Sequence, residues 1–169
     1  MKYPYALLAG LLGALVMALP AAAGEKTVMG WIEKVRIYPG NFIVHAKLDS
    51  GAEYCSLDAA NLTEFDRNGE PWVRFDLTER DGQKISLERP LLRTATIKRH
   101  YLKAQKRPVI KLGVCLGNIY KETEVNLVNR TGFQYRMLIG RKFMEGAVII
   151  DPSATYTVEP ECKGAATLE

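Results

Sequence analysis

The sequence predicts a mainly β domain, built as a small closed barrel with one or two short helices. Two observations carry that expectation. Short runs rich in β-branched and aromatic residues recur at close spacing, and each is bounded by residues that favour turns. Such spacing argues for a barrel over a doubly wound α/β sheet, whose strands alternate with long helices. With 47% hydrophobic and 25% charged residues, the composition is that of an ordinary globular domain.

The chain opens Met1-Lys2-Tyr3-Pro4-Tyr5, continues through an apolar run over 6–19, and reaches Pro20-Ala21-Ala22-Ala23-Gly24 before its first acidic residue, Glu25. This is the pattern of a secretory signal peptide spanning residues 1–23. The alternative is an uncleaved anchor that would hold the protein to the membrane facing the periplasm, although the run is short against the roughly 20 apolar residues of a spanning helix. Residues 24–169 then form one domain, expected in the periplasm.

Strands are predicted over 27–37, 42–49, 72–77, 84–87, 92–99, 108–116, 121–127, 135–139 and 147–151, where residues such as Val28, Ile43, Val73, Ile85, Ile97, Val109, Val125, Tyr135 and Ile149 cluster. The turn formers Pro39-Gly40-Asn41, Arg67-Asn68-Gly69, Asp81-Gly82, Leu116-Gly117-Asn118 and Arg130-Thr131-Gly132 separate them. Short helices are predicted over 57–65 and 141–145.

The strand over 42–49 ends in Asp49-Ser50-Gly51-Ala52, and this junction points to a chemistry. It has the layout of an aspartic peptidase active-site loop. A strand delivers the Asp49 carboxylate to a turn, Gly51 lets the backbone fold tightly, Ala52 leaves room for a substrate backbone, and the Ser50 hydroxyl is free to bond across a dimer axis. Alone, Asp-Ser-Gly is also an ordinary turn sequence. A second marker lies downstream: Met137-Leu138-Ile139-Gly140-Arg141 followed by Lys142-Phe143-Met144 reads as a buried strand entering a short helix, the element that supports such a loop.

The stretches Gly30-Trp31-Ile32-Glu33, Ala46-Lys47-Leu48-Asp49-Ser50-Gly51-Ala52, Trp72-Val73-Arg74-Phe75, Arg107-Pro108-Val109, Leu138-Ile139-Gly140-Arg141 and Val148-Ile149-Ile150-Asp151-Pro152-Ser153 together resemble the bacterial retropepsin-like endopeptidases, a family long labelled ATP-dependent zinc proteases. The resemblance covers nearly all of the chain after the first two dozen residues. It implies the acid-protease (retropepsin-like) barrel and aspartic endopeptidase activity. Two residues depart from the family pattern: Ser50 stands where threonine is usual, and Cys55 where a small hydroxylated residue is usual.

Aspartic peptidases use two aspartates that share a proton, and this chain has one Asp-Ser-Gly. Asp151-Pro152-Ser153 is no substitute, because proline cannot replace the glycine turn. The expectation is therefore a homodimer whose two-fold axis runs between the two Asp49 side chains. Gly140 and Arg141 would support the loop, with Glu53 pairing with Arg141; the alternative for the latter two is unrelated surface charges.

Neither a His-Glu-x-x-His cluster nor a Gly-rich loop ending in Lys-Ser or Lys-Thr occurs in the sequence, so no metal and no cofactor is expected despite the family's old label. His45 lies on the Asp49 face of its strand, and the other histidine is His100. The net charge of +4 does not by itself imply nucleic acid, and basic and aromatic residues do not interleave as base-stacking requires. Three cysteines leave one unpaired in any scheme. A Cys115–Cys162 bridge tying down the C-terminal tail, with Cys55 a buried thiol, is the expected pairing.

Residues 93–107 are expected to include a hairpin flap over the substrate. Arg93, Lys98, Arg99, Lys103, Lys106 and Arg107 crowd this stretch around His100, with no carboxylate among them. Lys98, Arg99, His100 and Lys103 are the candidate substrate-binding residues, and an acidic peptide or protein segment is the expected substrate. The resemblance points the same way, since the family includes members linked to glutamate-rich protein tails. A charge run is otherwise a solvated face. The competing function is a catalytically silent peptide-binding sensor or adaptor of the envelope, and a third is a structural dimer module.

Overall fold

In the computed structural model, the structure describes residues 25–79, 81–99, 102–163 and 165, with the backbone alone at 98, 99, 102 and 103. The expected leader 1–23 and His100 lie outside the described residues. The strands are β1 (Thr27–Tyr38), β2 (Phe42–Leu48), β3 (Cys55–Asp58), β4 (Ala60–Arg67), β5 (Glu70–Thr78), β6 (Lys84–Pro90), β7 (Arg93–Arg99), β8 (Leu102–Leu116), β9 (Ile119–Val128), β10 (Met137–Ile139) and β11 (Val148–Thr155), with one short helix, α1 (Arg141–Met144).

Eight strands form one sheet in the order β11-β1-β2-β10-β3-β9-β8-β7, and β1 pairs a second time with β8 through Arg36↔Cys115, Ile37↔Val114 and Tyr38↔Gly113. That extra pairing closes β1, β2, β10, β3, β9 and β8 into a ring. The expected closed barrel is therefore present. Closure follows from alternation: Phe42, Val44, Ala46 and Leu48 of β2 are buried while Ile43, His45 and Lys47 are partly exposed, so one face of the wall can fill the interior. Met29, Ile37, Leu57, Ile110, Leu112, Leu127, Met137, Ile139 and Phe143 complete that core.

A separate three-stranded antiparallel sheet, β4-β5-β6, packs Val73, Phe75 and Leu77 onto the barrel. It corrects one expectation. Residues 57–65 are not a helix: Leu57 pairs with Leu127 and Met137 inside the barrel wall, and Ala60 onward turns away to pair with β5. Leu57, Ala59, Leu62 and Phe65 are a short apolar set that fits either period, and pairing partners far along the chain decide between them.

The C-terminal segment is tied down at two places. Glu33 is fully buried in β1 and accepts hydrogen bonds from Gly30 N, Thr157 N and Thr157 Oγ1 at 2.8, 2.9 and 2.6 Å. Cys115 and Cys162 form the expected disulfide, and Cys55 is a buried free thiol. At the other side of the barrel, β8 pairs with β9 only from Val109 onward, while Arg93↔Val109 through Arg99↔Leu102 join β7 to β8. The β7–β8 hairpin thus leaves the wall, as a flap requires.

Candidate active site

Asp49 stands where β2 leaves the barrel beside β10. The two strands run parallel with Ile139 opposite Leu48, and the Asp49 N–H donates to the Ile139 carbonyl at 2.9 Å. The chain then turns: Ala52 N donates to Asp49 O at 3.1 Å, and Gly51 N donates to Asp49 Oδ1 at 3.0 Å. The carboxylate is thereby oriented by its own turn, an Asx geometry. Its side chain is 24% exposed, and Lys47 Nζ lies 3.9 Å from Oδ2. Ser50 and Gly51 are exposed at the tip. A methyl group on Gly51 would sit 3.2 Å from Asp49 Oδ1, so a side chain there presses on the carboxylate itself.

The second marker braces this turn from behind. Gly140 has ordinary extended backbone, and its need for glycine is one of space: a Cβ would lie 2.5 Å from the carbonyl carbon and oxygen of Tyr54. Beyond Gly140, Arg141 N donates to Ala52 O at 2.8 Å and Lys142 N to Glu53 O at 3.0 Å. The first N–H groups of a helix lack partners within it, and here the Asp49 loop takes them. Arg141 adds Nη1 to Ser50 O at 2.7 Å.

Arg141 therefore supports the loop through a carbonyl, and the expected Glu53–Arg141 pair is not formed. Glu53 pairs instead with Lys142, Oε1 to Nζ 3.1 Å, and Lys142 also donates to Tyr54 OH at 2.8 Å. The Tyr54 hydrogen bond, then Glu53, hold the Lys142 ammonium above its ordinary pKa. The two basic neighbours differ by one position along a helix, which rotates them roughly 100° apart, and only Lys142 faces the Glu53 side chain.

Two clefts flank the loop. One, of about 990 Å³, has Trp31, Leu48, Met144 and Ile150 along its walls and Ser50, Lys47 and Arg141 at its edge. The other, of about 540 Å³, lies between the loop and the flap, with Tyr54, Ser56, Thr96, Arg107, Asn126 and Leu138 among its lining. Lys98, Arg99 and Lys103 belong to the strands of the β7–β8 hairpin, and their side chains, like His100, are outside the described residues.

His45 shares the strand face of Asp49 yet turns to Glu79, Nδ1 to Oε1 3.1 Å, with the Tyr156 ring edge-on at 5.6 Å. Among the described residues, no three His, Cys, Asp or Glu side chains come close enough to hold a metal. Asp151 is turned onto its own strand, accepting from Ser153 N and Oγ at 2.8 and 2.6 Å; the Ser153 hydrogen bonds hold its pKa below the ordinary carboxylate value.

Two residues of the site gave no sign in the sequence. Arg130 is buried, donates from Nε to Tyr135 O at 3.0 Å, and feels the charge of Asp49; burial lowers its pKa while the carboxylates of Asp58 and Asp49 raise it. Ser56 is buried with its hydroxyl turned to the smaller cleft. The first reads as part of a turn and the second as an anonymous strand residue.

Residues 28–161 match the family described as RimB-like, retropepsin-like aspartic endopeptidase RimB. The chain belongs to this family. Its retropepsin-like barrel and the loop at Asp49 are thus features of one fold. Among the relatives of this RimB-like chain is a probable alpha-L-glutamate ligase of Shewanella pealeana, 38% identical over 116 residues that cover 67% of this chain and 25% of that protein. The protein of the same name from Desulfotalea psychrophila is 33% identical over 113 residues, 65% of this chain and 24% of that one. The chain spans about a quarter of the length of these curated relatives. A crystal structure of a Legionella pneumophila protein of unknown function superposes with a TM-score of 0.69 at 33% identity, covering 80% of this chain and all of that one.

Proposed function

We propose that the protein is an aspartic endopeptidase that hydrolyses peptide bonds through two Asp49 side chains, one from each chain of a homodimer. The observation that carries this reading is the Asp49 turn itself. Its carboxylate is part-exposed and oriented by Gly51 N, on a loop whose neighbouring residues line two clefts, while four separate groups of Gly140, Arg141 and Lys142 pack against or bond to that loop from behind. A surface turn has no need of such bracing. In the dimer one carboxylate takes a proton from the attacking water while the other, protonated, polarises the scissile carbonyl. Arg130 is buried close enough to Asp49 to feel its charge.

The ligase name belongs to longer proteins, of which the matched segment is 25%, and that shared quarter is read here as a domain common to both. On the flap, the run of Lys98, Arg99 and Lys103 supports an acidic peptide or protein segment as substrate. The Cys115–Cys162 bridge supports an oxidising compartment, hence export to the periplasm.

Incubation of the purified protein with a peptide library, read by mass spectrometry beside an Asp49→Asn control, tests the activity. Cleavage by the wild type alone is expected, with little change on chelation. Turnover by Asp49→Asn, or by a preparation that sedimentation shows to be monomeric, sinks the dyad mechanism. Peptide capture without cleavage by either protein favours the silent adaptor.

A further inference from the structure

A small cavity away from both Asp49 clefts lies between the three-stranded sheet and the barrel. We propose that it binds a small protonated oxyanion of inorganic phosphate chemistry, held by Arg89 and Lys111, with Glu122 accepting the proton of the ion. The site does not depend on the endopeptidase reading.

The cavity has a volume of about 240 Å³ and sits where the end of β6 meets β8 and β9, with Arg89, Pro90, Leu92, Lys111, Gly113 and Glu122 among its lining. Alternation sends both cations there. In β6, Ile85 and Leu87 pack onto the core, and Arg89 follows them on the same face. In β8, Ile110 and Leu112 are buried inside the barrel, so Lys111 between them points outward. One cation therefore comes from each sheet.

Among the described residues, neither cation has an ion-pair partner. The carboxylates nearest to them are already committed. Glu88, next to Arg89 in sequence, lies on the opposite face of β6 and pairs with Arg67 and Arg74. Glu124, opposite Lys111 in register, takes Arg93, with Nη2 to Oε2 2.5 Å. Arg89 Nε is buried and has no hydrogen-bond partner among the described residues. Such an N–H has given up its bonds to water, which is costly and rare in native proteins. An anion entering the cavity would supply the missing acceptor.

The lining selects the kind of anion. A guanidinium fork grips two oxygens of one ion, and an ammonium arriving from the other sheet takes a third. A carboxylate has only two oxygens, whereas a tetrahedral oxyanion has four. Glu122 then discriminates among tetrahedral ions. It repels one that carries no hydrogen, but phosphate keeps at least one proton at neutral pH, and that hydroxyl donates to the Glu122 carboxylate. Sulfate has no proton to give. The Tyr120 hydroxyl stands beside the cavity, since a Cβ on Gly113 would lie 2.4 Å from it. Burial first, then the charge of Glu122, push this phenol above its ordinary pKa against the opposing charge of Arg89, so it remains a donor.

The test is an NMR titration and a set of thermal melts on the intact, disulfide-bonded protein, with phosphate, sulfate, acetate or chloride added at one pH and one ionic strength. Phosphate should shift the amide signals of Lys111 and Glu122 and the Nε–H of Arg89. At about ten times its Kd it should raise the melting temperature by roughly 3–6 °C. Sulfate and acetate should bind about tenfold more weakly, and chloride should do nothing. Lys111 is exposed, so Lys111→Gln should melt like the wild type without phosphate and lose the response to it. Arg89→Lys keeps the charge but removes the fork, and should weaken phosphate by about tenfold. Glu122→Gln should erase the preference for phosphate over sulfate. Equal responses to all four salts, or a wild-type phosphate response in Lys111→Gln, would overturn the site. Sulfate binding the wild type as tightly as phosphate would overturn the assignment of Glu122.

Discussion

Arg141 donates from Nη1 to the main-chain carbonyl of Ser50 at 2.7 Å, joining residues that lie 91 positions apart. The bond falls on the residue next to Asp49, and the backbone N–H groups of Arg141 and Lys142 hold Ala52 and Glu53 of the same turn. One helical turn therefore grips the Asp49 loop at three carbonyls. Its side-chain contribution can be removed without disturbing the other two.

Replacing Arg141 with Met should lower kcat by about tenfold or more, the worth of one charge-assisted hydrogen bond of about 1.5–3 kcal/mol. Because Arg141 is exposed and only its side chain is lost, the melting temperature should move little. Kinetics on a cleaved peptide and a thermal melt check this together. Unchanged kcat beside a large drop in melting temperature would make Arg141 a purely structural residue.

Gly140→Ala should behave in the opposite way. The new methyl meets the Tyr54 carbonyl carbon and oxygen at 2.5 Å, and backbone cannot swing aside as a side chain can. Forced overpacking costs about 1–3 kcal/mol, so urea unfolding should show a lower midpoint with an unchanged slope. An unaltered midpoint would mean that the loop and β10 separate freely, and the bracing argument would fall.

Cys55 gives a prediction with a pH sign. Burial pushes its thiol up to about 11, against weaker opposing hydrogen bonds from Gly140 and Thr123. A raised pKa favours the neutral thiol in the folded state, so its stabilising effect is full below the unfolded value near 9 and fades as pH rises towards 11. At pH 7 the thiolate fraction is on the order of one in ten thousand. Ellman's reagent should find no thiol in the native protein, one after denaturation, and three after denaturation with reductant. A thiol that reacts natively at pH 7 would contradict the buried placement.

Salt should weaken the affinity for acidic peptides. The proposed reading has Lys98, Arg99 and Lys103 attract acidic peptides, and charges in solvent are screened over a Debye length of about 10 Å at 0.1 M. KM for a Glu-containing peptide should rise with ionic strength while that for a neutral peptide stays level, and replacing the three residues with Gln should have the same selective effect. Parallel losses for both peptides would leave the basic hairpin as ordinary surface.

Much of this was legible in the chain because it rests on local chemistry. The Asp49 turn, the flap as a hairpin and the helix after Gly140 each follow from neighbouring residues whose dihedral preferences and alternation agree. The Cys115–Cys162 bridge followed from the position of one cysteine in a strand and another in the tail. Residues 57–65 misled for the complementary reason: their apolar spacing fits a helix, and Leu127 and Met137, which make Leu57 a strand residue, are far away in the chain. Glu53 has two basic candidates side by side, and the helix rotation that selects Lys142 is a three-dimensional fact.

The sequence by itself determined the class of fold, the single carboxylate turn and the family. Each is written in alternation, turn residues and short ordered motifs. Only the tertiary structure decided what surrounds that turn: the close approach that forbids a side chain at Gly140, the buried charge of Arg130, and the buried Ser56 at the smaller cleft. Those are distances between residues separated by most of the domain, and a strand's pairing energy depends on partners that no local window contains.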